Sequence, residues 1–399
     1  MVKIATAGNT HSDTLKALES AVQELRRELG AKPKYVMVQM NAALDADLVR
    51  TYLHQMWPQC HVHGATSCLG TITDKGVMSA PDGGLALYGV ADDESSYGVG
   101  FCDASLNMKQ AAVDALHLAL TQIDREGEMP DLVWTTCSPG SEEEALEGLQ
   151  GVLGQDIPII GGSCADNEIA GNWSLFNQHG GAQNGCVVTA IFSENAMGNS
   201  FQSAYIPTDT SATITSSDKR IVKELDHQLA GEVYARWTGI DLKAGREDSL
   251  NILGQTTLAP LGRRVGDLSG ADMYLMSHPE TITPEGYLTL FTDVEEGQIV
   301  TLMSGNKDML LNRASRVCEF ARNIADISTD QIAGSIIVYC AGCMLTVRDD
   351  LEELHKRITQ TLGGKPFMTA FTFGEQGQVI AGENCHGNLM VSSLMWGQS

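Results

Sequence analysis

Apolar and polar positions along this chain follow an order that recurs. Leucines and valines recur every three or four residues between positions 15 and 29, which predicts an amphipathic helix. Apolar runs at 35–39, 61–67 and 85–90 predict strands, and a second helical segment lies at 47–57. The N-terminal part therefore predicts a unit with the order helix, strand, helix, strand, glycine-containing turn and strand.

The same order returns twice. The second copy has a helix at 108–125 and another, after the capping-box spacing of Ser141 and Glu144, with apolar residues from Leu146 to Leu153. Its strands are at 132–137, 158–164 and 185–192. Gly64 and Gly161 are 97 residues apart, as are Val36 and Val133 (161 − 64 and 133 − 36). Equal offsets over several elements indicate an internal repeat.

A third copy lies near the C-terminus. Its helices are predicted at 309–324 and 349–362, with strands at 335–340, 367–373 and 389–396. A fourth copy is expected at 217–303, where a helix at 219–237 is predicted but the stretch 239–270 has no clear period.

These patterns predict an α/β protein (α+β, mixed sheets) with two related halves built from repeated helix-strand-helix-strand-strand units. The polar segment that contains Pro207 is the best linker between them. We therefore predict an N-terminal domain at 1–198, a linker at 199–217 and a C-terminal domain at 218–399.

Charge and hydropathy argue against some classes of partner and against a membrane-spanning protein. Acidic residues outnumber basic ones by 50 to 26, which gives a net charge of −24 and disfavours nucleic acid or an anionic membrane as partner. The chain opens without a signal-peptide core, and its most apolar stretch, 336–347, is shorter than the ~20 residues of a membrane span. We expect a cytoplasmic protein with reduced cysteines, and the lone pair Cys340–Cys343 does not predict a zinc site.

Glycine and small polar residues follow the second helix-to-strand step of each copy. Glycine lets a ligand approach the backbone, and neighbouring N–H groups and polar side chains orient it, although each turn alone could be only a tight turn. None has the lysine or glycine spacing of a nucleotide loop. We expect the turns of the repeats to converge around a common cavity. The candidate ligand-binding residues are Gly64, Thr66, Ser67, Gly161, Gly162, Ser163, Cys164, Asp166, Asn167, Glu375, Asn384 and Cys385.

Histidines and cysteines add two further hypotheses. His386 lies in a polar cluster before the last strand, and His61 and His63 face the same side of a strand, so each could bind a metal or haem or simply form structural hydrogen bonds. Cys164 or Cys385 could instead pair with His386 or His63 as a nucleophile and base, oriented by Asp166 or Glu375.

The glycine turns resemble those of the FIST family of sensory domains. The matching segments are Gly64–Gly70, Gly161–Asp166, Phe373–Glu375 and Asn384–Asn388, and the resemblance extends over residues 10–396. Two departures change the presumed pocket wall: Thr71 stands where the family usually has Glu, and Cys164-Ala165 replaces Ala-Gly.

The resemblance implies a small-ligand sensor more than an enzyme. Some members are similar to nitric-oxide-sensing haem proteins that regulate a separate histidine kinase or cyclic-di-GMP enzyme. It therefore implies haem b held by His386, or else by His63 or His61. The alternatives are a haem-free sensor of an amino acid or other metabolite, bound through Ser67, Ser163, Asp166 and Glu375, and a Cys–His hydrolase.

Overall fold

The computed structural model describes residues 2–104, 107–242, 248–268, 270–379 and 382–398. It confirms the expected α/β class with mixed sheets and repeated units. Two units lie in the N-terminal half. The third lies in the C-terminal half, where an insertion divides it.

The first unit begins with a strand that the sequence did not predict. Helix α1 starts where the Asp13 side chain accepts a hydrogen bond from the Lys16 N–H, and it ends at Gly30 in a left-handed conformation. The elements are β1 Lys3–Asn9, α1 Thr14–Leu29, β2 Tyr35–Met40, α2 Ala46–Met56, β3 His61–Thr66, β4 Gly70–Thr73, β5 Gly76–Ser79 and β6 Leu85–Ala91.

The second unit repeats this order element by element. Its elements are β7 Ser96–Asp103, α3 Met108–Thr121, β8 Leu132–Cys137, α4 Glu142–Leu153, β9 Ile159–Gly162, β10 Leu175–Asn177, β11 Gly181–Ala182 and β12 Gly185–Phe192.

The third unit opens with β13 (Met197–Ser203) and is then interrupted by a β-rich insertion. The insertion comprises β14 Ile206–Asp218, β15 Ile221–Leu225, β16 Gln228–Leu229, α5 Ala230–Thr238, β17 Leu250–Asn251, α6 Leu253–Thr256, β18 Leu261–Leu268, β19 Ala271–Ser277, β20 Pro279–Ile282, β21 Leu288–Leu290 and β22 Ile299–Ser304. The unit resumes with α7 Lys307–Ile324, β23 Ile332–Cys340, α8 Ala341–Thr346, α9 Leu351–Thr361, β24 Phe367–Thr372, β25 Glu375–Gln378, β26 Asn384–Gly387 and β27 Met390–Gly397, with 3-10 turns at Thr329–Gln331 and Arg348–Asp350.

One expectation about the insertion is wrong. No fourth copy of the unit is present in the described residues 206–304, where the predicted helix at 219–237 is replaced by β15, β16 and the short α5. Residues 199–217, predicted as the linker, form most of β13 and β14, which pair with β27 and β22 respectively. In the middle of β14 the buried Ala212 and Ile214 alternate with the more exposed Ser211, Thr213 and Thr215, as expected of a strand with one face in solvent.

The three units exchange β-hairpins in a cycle. The first unit's β4–β5 hairpin pairs with β24 of the third unit, and the third unit's β25–β26 hairpin pairs with β9 of the second. The second unit's β10–β11 hairpin pairs with β3 of the first. The three six-stranded sheets, one for each unit, therefore have the same strand order. The turns that lead into the exchanged hairpins come together at the centre of the three units.

A central core receives side chains from all three sheets. Tyr88, Trp134 and Trp396 are almost fully buried there, each from a different unit. Burial of aromatic side chains of this size is a main source of stability, so the core holds the units in a fixed arrangement. None of the helices in the described ranges combines the length and apolar composition of a membrane span.

Candidate ligand-binding site

The three strand-to-glycine turns meet and form a closed ring of main-chain hydrogen bonds. The Cys68 N–H donates to the carbonyl of Phe371 (3.0 Å), and the Ala165 N–H donates to that of Thr66 (3.0 Å). The Phe373 N–H donates to the carbonyl of Ser163 (3.4 Å), which links the third turn to the second. The expected convergence of the turns is therefore present.

Small side chains in the ring bind protein groups. Ser67 Oγ accepts a hydrogen bond from the Phe371 N–H (2.8 Å) and donates to the Gly70 carbonyl (2.6 Å). Thr66 Oγ1 accepts from the Ser174 N–H (2.9 Å). These two hydroxyls therefore hold the junction of the units together.

Glycines in the turns are required by close packing. A Cβ on Gly64 would lie 2.1 Å from the ring of Phe176, and one on Gly162 would lie 2.5 Å from Thr372 Cγ2. Both neighbours belong to another unit. The glycines therefore allow the units to pack closely.

Asp166, Asn167 and Asn384 also have structural partners. The Asp166 carboxylate accepts main-chain N–H bonds from the loop that follows it, including those of Ala170 (2.9 Å) and Asn172 (2.8 Å). Asn167 Oδ1 accepts from the Leu69 N–H (2.9 Å). Asn384 Oδ1 accepts from the Ile159 N–H (2.8 Å), which ties the exchanged hairpin to β9.

His63 is a buried structural histidine in this fold. Its Nδ1 lies 2.8 Å from Thr189 Oγ1 and its Nε2 lies 2.9 Å from Thr136 Oγ1. Burial lowers the pKa of His63 to about 3, so the ring is neutral. His61 faces the same side of β3, and its Nδ1 lies 2.9 Å from Gln122 Oε1.

The two cysteines proposed as nucleophiles are not activated. Burial raises the pKa of the Cys385 thiol to about 12, and it raises the pKa of Cys164 well above its ordinary value. Cys164 belongs to the central core, and Cys385 Sγ faces the Glu383 carbonyl at 3.8 Å. A thiolate is therefore disfavoured at both positions, which argues against the hypothesis of a Cys–His hydrolase.

An ion-pair network lies beside the third turn. Arg220 of the insertion donates from Nη2 to Glu142 (2.7 Å) and to Glu143, and its Nε lies 3.4 Å from Asp293 Oδ1. Glu142 also accepts a hydrogen bond from Ser163 Oγ (2.8 Å), so the network is attached to the second turn. These attractions fix the insertion against helix α4 of the second unit.

His386 contacts the edge of this network. Its Nε2 lies 3.3 Å from the Phe291 carbonyl and its Nδ1 lies 3.3 Å from Gln376 Nε2. Ligand atoms of Glu142, Glu143 and His386 lie within 4.8 Å of one another. Arg220 already supplies a positive charge to both carboxylates.

A mainly apolar cavity lies between the second unit, the third unit and the insertion. It has a volume of about 580 Å³. Trp173 and Phe373 form an edge-to-face pair in its wall, with ring centroids 6.2 Å apart, and Phe291 adds a third ring. Glu142, Arg220, His278 and Asn388 contribute polar groups to the same wall. We call this space the central cavity.

None of the candidate ligand-binding or metal-binding residues selected from the sequence lines this cavity, and the polar residues Ser67, Ser163, Asp166 and Glu375 are among those outside it. The third turn contributes instead Thr372 and Phe373, which were not candidates. His61 and His386 line other surface depressions. The central cavity is therefore formed beside the ring of turns, by residues of α8 and the insertion.

Sequence reasoning missed four polar residues of the cavity wall, namely Glu142, Arg220, His278 and Asn388. Asn388 stood at the end of the recognised polar cluster, and Glu142 begins helix α4. Arg220 and His278 lie in the insertion, which has no repeat to reveal their position.

Glu375 is a buried carboxyl whose ionisation is disfavoured. Burial first, and the nearby Cys340 thiol second, raise its pKa well above the ordinary value of 4.5. Its oxygens accept hydrogen bonds from Thr372 Oγ1 (2.8 Å) and the Met390 N–H (3.0 Å). The raised pKa in the folded state means that Glu375 stabilises the fold below pH 4.5 and that this contribution is lost as the pH rises.

We therefore expect Glu375→Gln to match the wild type in stability near pH 4 and to exceed it by about 1–2 kcal/mol near pH 7. The amide keeps an acceptor for the Met390 N–H and offers a donor to Thr372. Urea unfolding of both proteins at several pH values measures the difference in the free energy of unfolding. A difference that stays constant with pH would mean that Glu375 ionises normally.

Comparison with known proteins gives one consistent family. A family model described as the FIST N domain matches residues 34–228, and one described as the FIST C domain matches residues 230–378. None of the curated proteins matches the chain. The predicted division at 198 and 218 stays a prediction, since the two matches meet inside the insertion.

Solved structures are similar only remotely. A cyanuric acid hydrolase from A. caulinodans is 8% identical with a TM-score of 0.36, and the alignment covers 100% of this chain and 99% of that one. A second cyanuric acid hydrolase structure is 10% identical, with a TM-score of 0.36 and 100% coverage of both chains. PurLQS from Thermotoga maritima is 9% identical, with a TM-score of 0.22, and covers 100% of this chain and 72% of that one. At these values the similarity indicates nothing about activity or substrate.

Proposed function

The chain belongs to the FIST domain family, and on that premise we propose that it is a small-ligand sensor that binds its ligand in the central cavity. The family supports the coarse function, ligand sensing in signal transduction. The proposal includes transfer of the signal to a separate protein, such as a histidine kinase or a cyclic-di-GMP enzyme.

The observation that carries the proposal is the composition and position of the cavity. It has the size and the apolar lining, with a few polar groups, that are typical of small-molecule sites. It also lies where the insertion of the C-terminal half contacts the second unit of the N-terminal half. A ligand there would touch both halves, so its binding energy could change how they pack.

The haem version of this sensor does not fit the residues that were expected to hold iron. His61, His63 and His386 do not line the central cavity, and His63 has both ring nitrogens bonded to threonine hydroxyls. We therefore propose a haem-free sensor of a small metabolite. The turn residues expected to bind it directly act instead by holding the three units together.

Blocking the cavity should abolish ligand-induced stabilisation. Leu345 lies at the cavity wall and is 46% exposed, so Leu345→Trp places a larger side chain at the opening. We expect compounds that raise the melting temperature of the wild type to lose that effect in this variant, because binding stabilises the fold by mass action. A thermal-shift screen of amino acids, neutral metabolites and haemin measures it.

Leu118→Trp is the matched control, because Leu118 is 47% exposed on α3 and does not line the cavity. This variant should respond to ligands as the wild type does. Ligands that stabilise Leu345→Trp as strongly as the wild type would place the binding site elsewhere. A Soret band that is lost on substitution of His61, His63 or His386 would restore the haem version.

A further inference from the structure

Asn388 carries an unsatisfied hydrogen-bond donor at the wall of the central cavity. Its Oδ1 accepts a hydrogen bond from the His278 N–H (3.2 Å), and its own N–H donates to the Met276 carbonyl (3.0 Å). The side chain is 2% exposed, and Nδ2 is buried without a hydrogen-bond partner. An unpaired buried amide costs about 1–3 kcal/mol, so a ligand that supplies an acceptor would recover that energy.

Neighbouring polar groups of the wall are already paired within the protein. Thr372 Oγ1 donates to Glu375 (2.8 Å), and Thr346 Oγ1 donates to the Gly342 carbonyl (2.9 Å). Glu142 accepts from Ser163, Arg220 and the Gly140 N–H. Among the wall groups named here, the amide of Asn388 is the one with a donor that no protein group accepts.

The charges around the cavity disfavour an anionic ligand. Arg220 contacts three carboxylates, those of Glu142, Glu143 and Asp293, so negative charge exceeds positive charge in this network. His278 adds no positive charge at neutral pH, because burial lowers its pKa to about 4. A carboxylate in the cavity would lose its hydration and meet like charges.

The remaining wall favours an apolar, flat body. Trp173 and Phe373 meet edge to face, and Phe291 and Leu253 contribute further apolar surface. Aromatic walls of this kind contact rings through stacked or edge-to-face packing. A ligand would therefore need a hydrogen-bond acceptor only where it meets Asn388.

We propose that the central cavity takes an uncharged, largely apolar molecule whose carbonyl oxygen accepts a hydrogen bond from Asn388 Nδ2. This inference rests on the proposed function, since it names the ligand class of the same cavity. It also identifies Asn388 as the residue that orients the ligand.

Three naphthalene probes test this class. 2-Acetylnaphthalene offers a carbonyl, 2-ethylnaphthalene has a similar shape without an acceptor, and 2-naphthoate carries a charge. Calorimetry or fluorescence gives Kd for each probe with the wild type and with Asn388→Leu. The ratio of the Kd of the hydrocarbon to that of the ketone should fall about tenfold in Asn388→Leu, because the variant loses one buried hydrogen bond to the ketone. We also expect 2-naphthoate to bind the wild type most weakly of the three probes.

Two more variants separate binding from folding. Asn388→Asp keeps an oxygen for the His278 N–H but lacks the amide donor, so it should fold and lose the ketone preference. Thr346→Val removes a wall hydroxyl that is already bonded to Gly342, so it should keep the preference.

Each outcome has a distinct meaning. An unchanged ketone preference in both Asn388 variants, or 2-naphthoate binding as tightly as the ketone, would overturn the ligand class and leave the cavity as a binding site. Failure of all three probes to bind the wild type would overturn this inference, whereas the proposed function is overturned only if no compound of the thermal-shift screen depends on the cavity that Leu345→Trp blocks.

Discussion

Arg220→Ala is expected to lower the free energy of unfolding by about 3 kcal/mol, because it leaves the buried carboxylate of Glu142 without its counter-charge. The Glu142 side chain is only 3% exposed, and Arg220 itself is 20% exposed. Glu143 and Asp293 would also lose their bonds to the guanidinium. The insertion would then be held less firmly against α4, so thermal and urea unfolding should both shift.

An exposed arginine provides the control for that result. Arg264 pairs with Asp272 at 2.6 Å, but its side chain is 55% exposed. Arg264→Ala should therefore leave the free energy of unfolding almost unchanged, because an exposed ion pair contributes little to stability. Equal losses in the two variants would show that Arg220 contributes as an ordinary surface ion pair and does not secure the insertion.

The repeat could be predicted from the sequence because each unit satisfies its own local pattern. Helix α1 has a regular apolar face, and strands such as β2 and β8 are short, mostly apolar runs that are buried along their whole length. The exchange of hairpins could not be predicted, since pairing of β4 with β24 or of β25 with β9 depends on contacts between distant parts of the chain. Local pattern does not specify which sheet edge a short hairpin joins.

The insertion escaped prediction for a different reason. Most of its strands have a partly polar face, and Arg220 and His278 lie in the short connections between β14 and β15 and between β19 and β20. The glycine turns were correctly predicted to converge. Their polar side chains were assigned to a ligand because sequence does not reveal that Ser67 would bind Phe371, or that Ser163 would bind Glu142.

Gly161→Ala is expected to destabilise the protein by about 4 kcal/mol or to prevent folding, through overpacking together with backbone strain. Gly161 has a φ of 156°, and a Cβ there would lie 1.7 Å from the Thr135 carbonyl oxygen. Thr135 lies in β8, which pairs on one side with β9 and on the other with β12, so its backbone cannot move aside. Soluble yield and urea unfolding measure the loss.

Gly151→Ala distinguishes this local clash from a general effect of adding a methyl group. Gly151 lies inside α4, and a Cβ there would meet nothing within 4 Å. Alanine should therefore stabilise the helix by about 0.5–1 kcal/mol. If Gly161→Ala were tolerated as well as Gly151→Ala, the close approach of β9 to β8 would not be needed to hold the second turn in the ring. The hydrogen bonds between the turns would then be sufficient to maintain the ring.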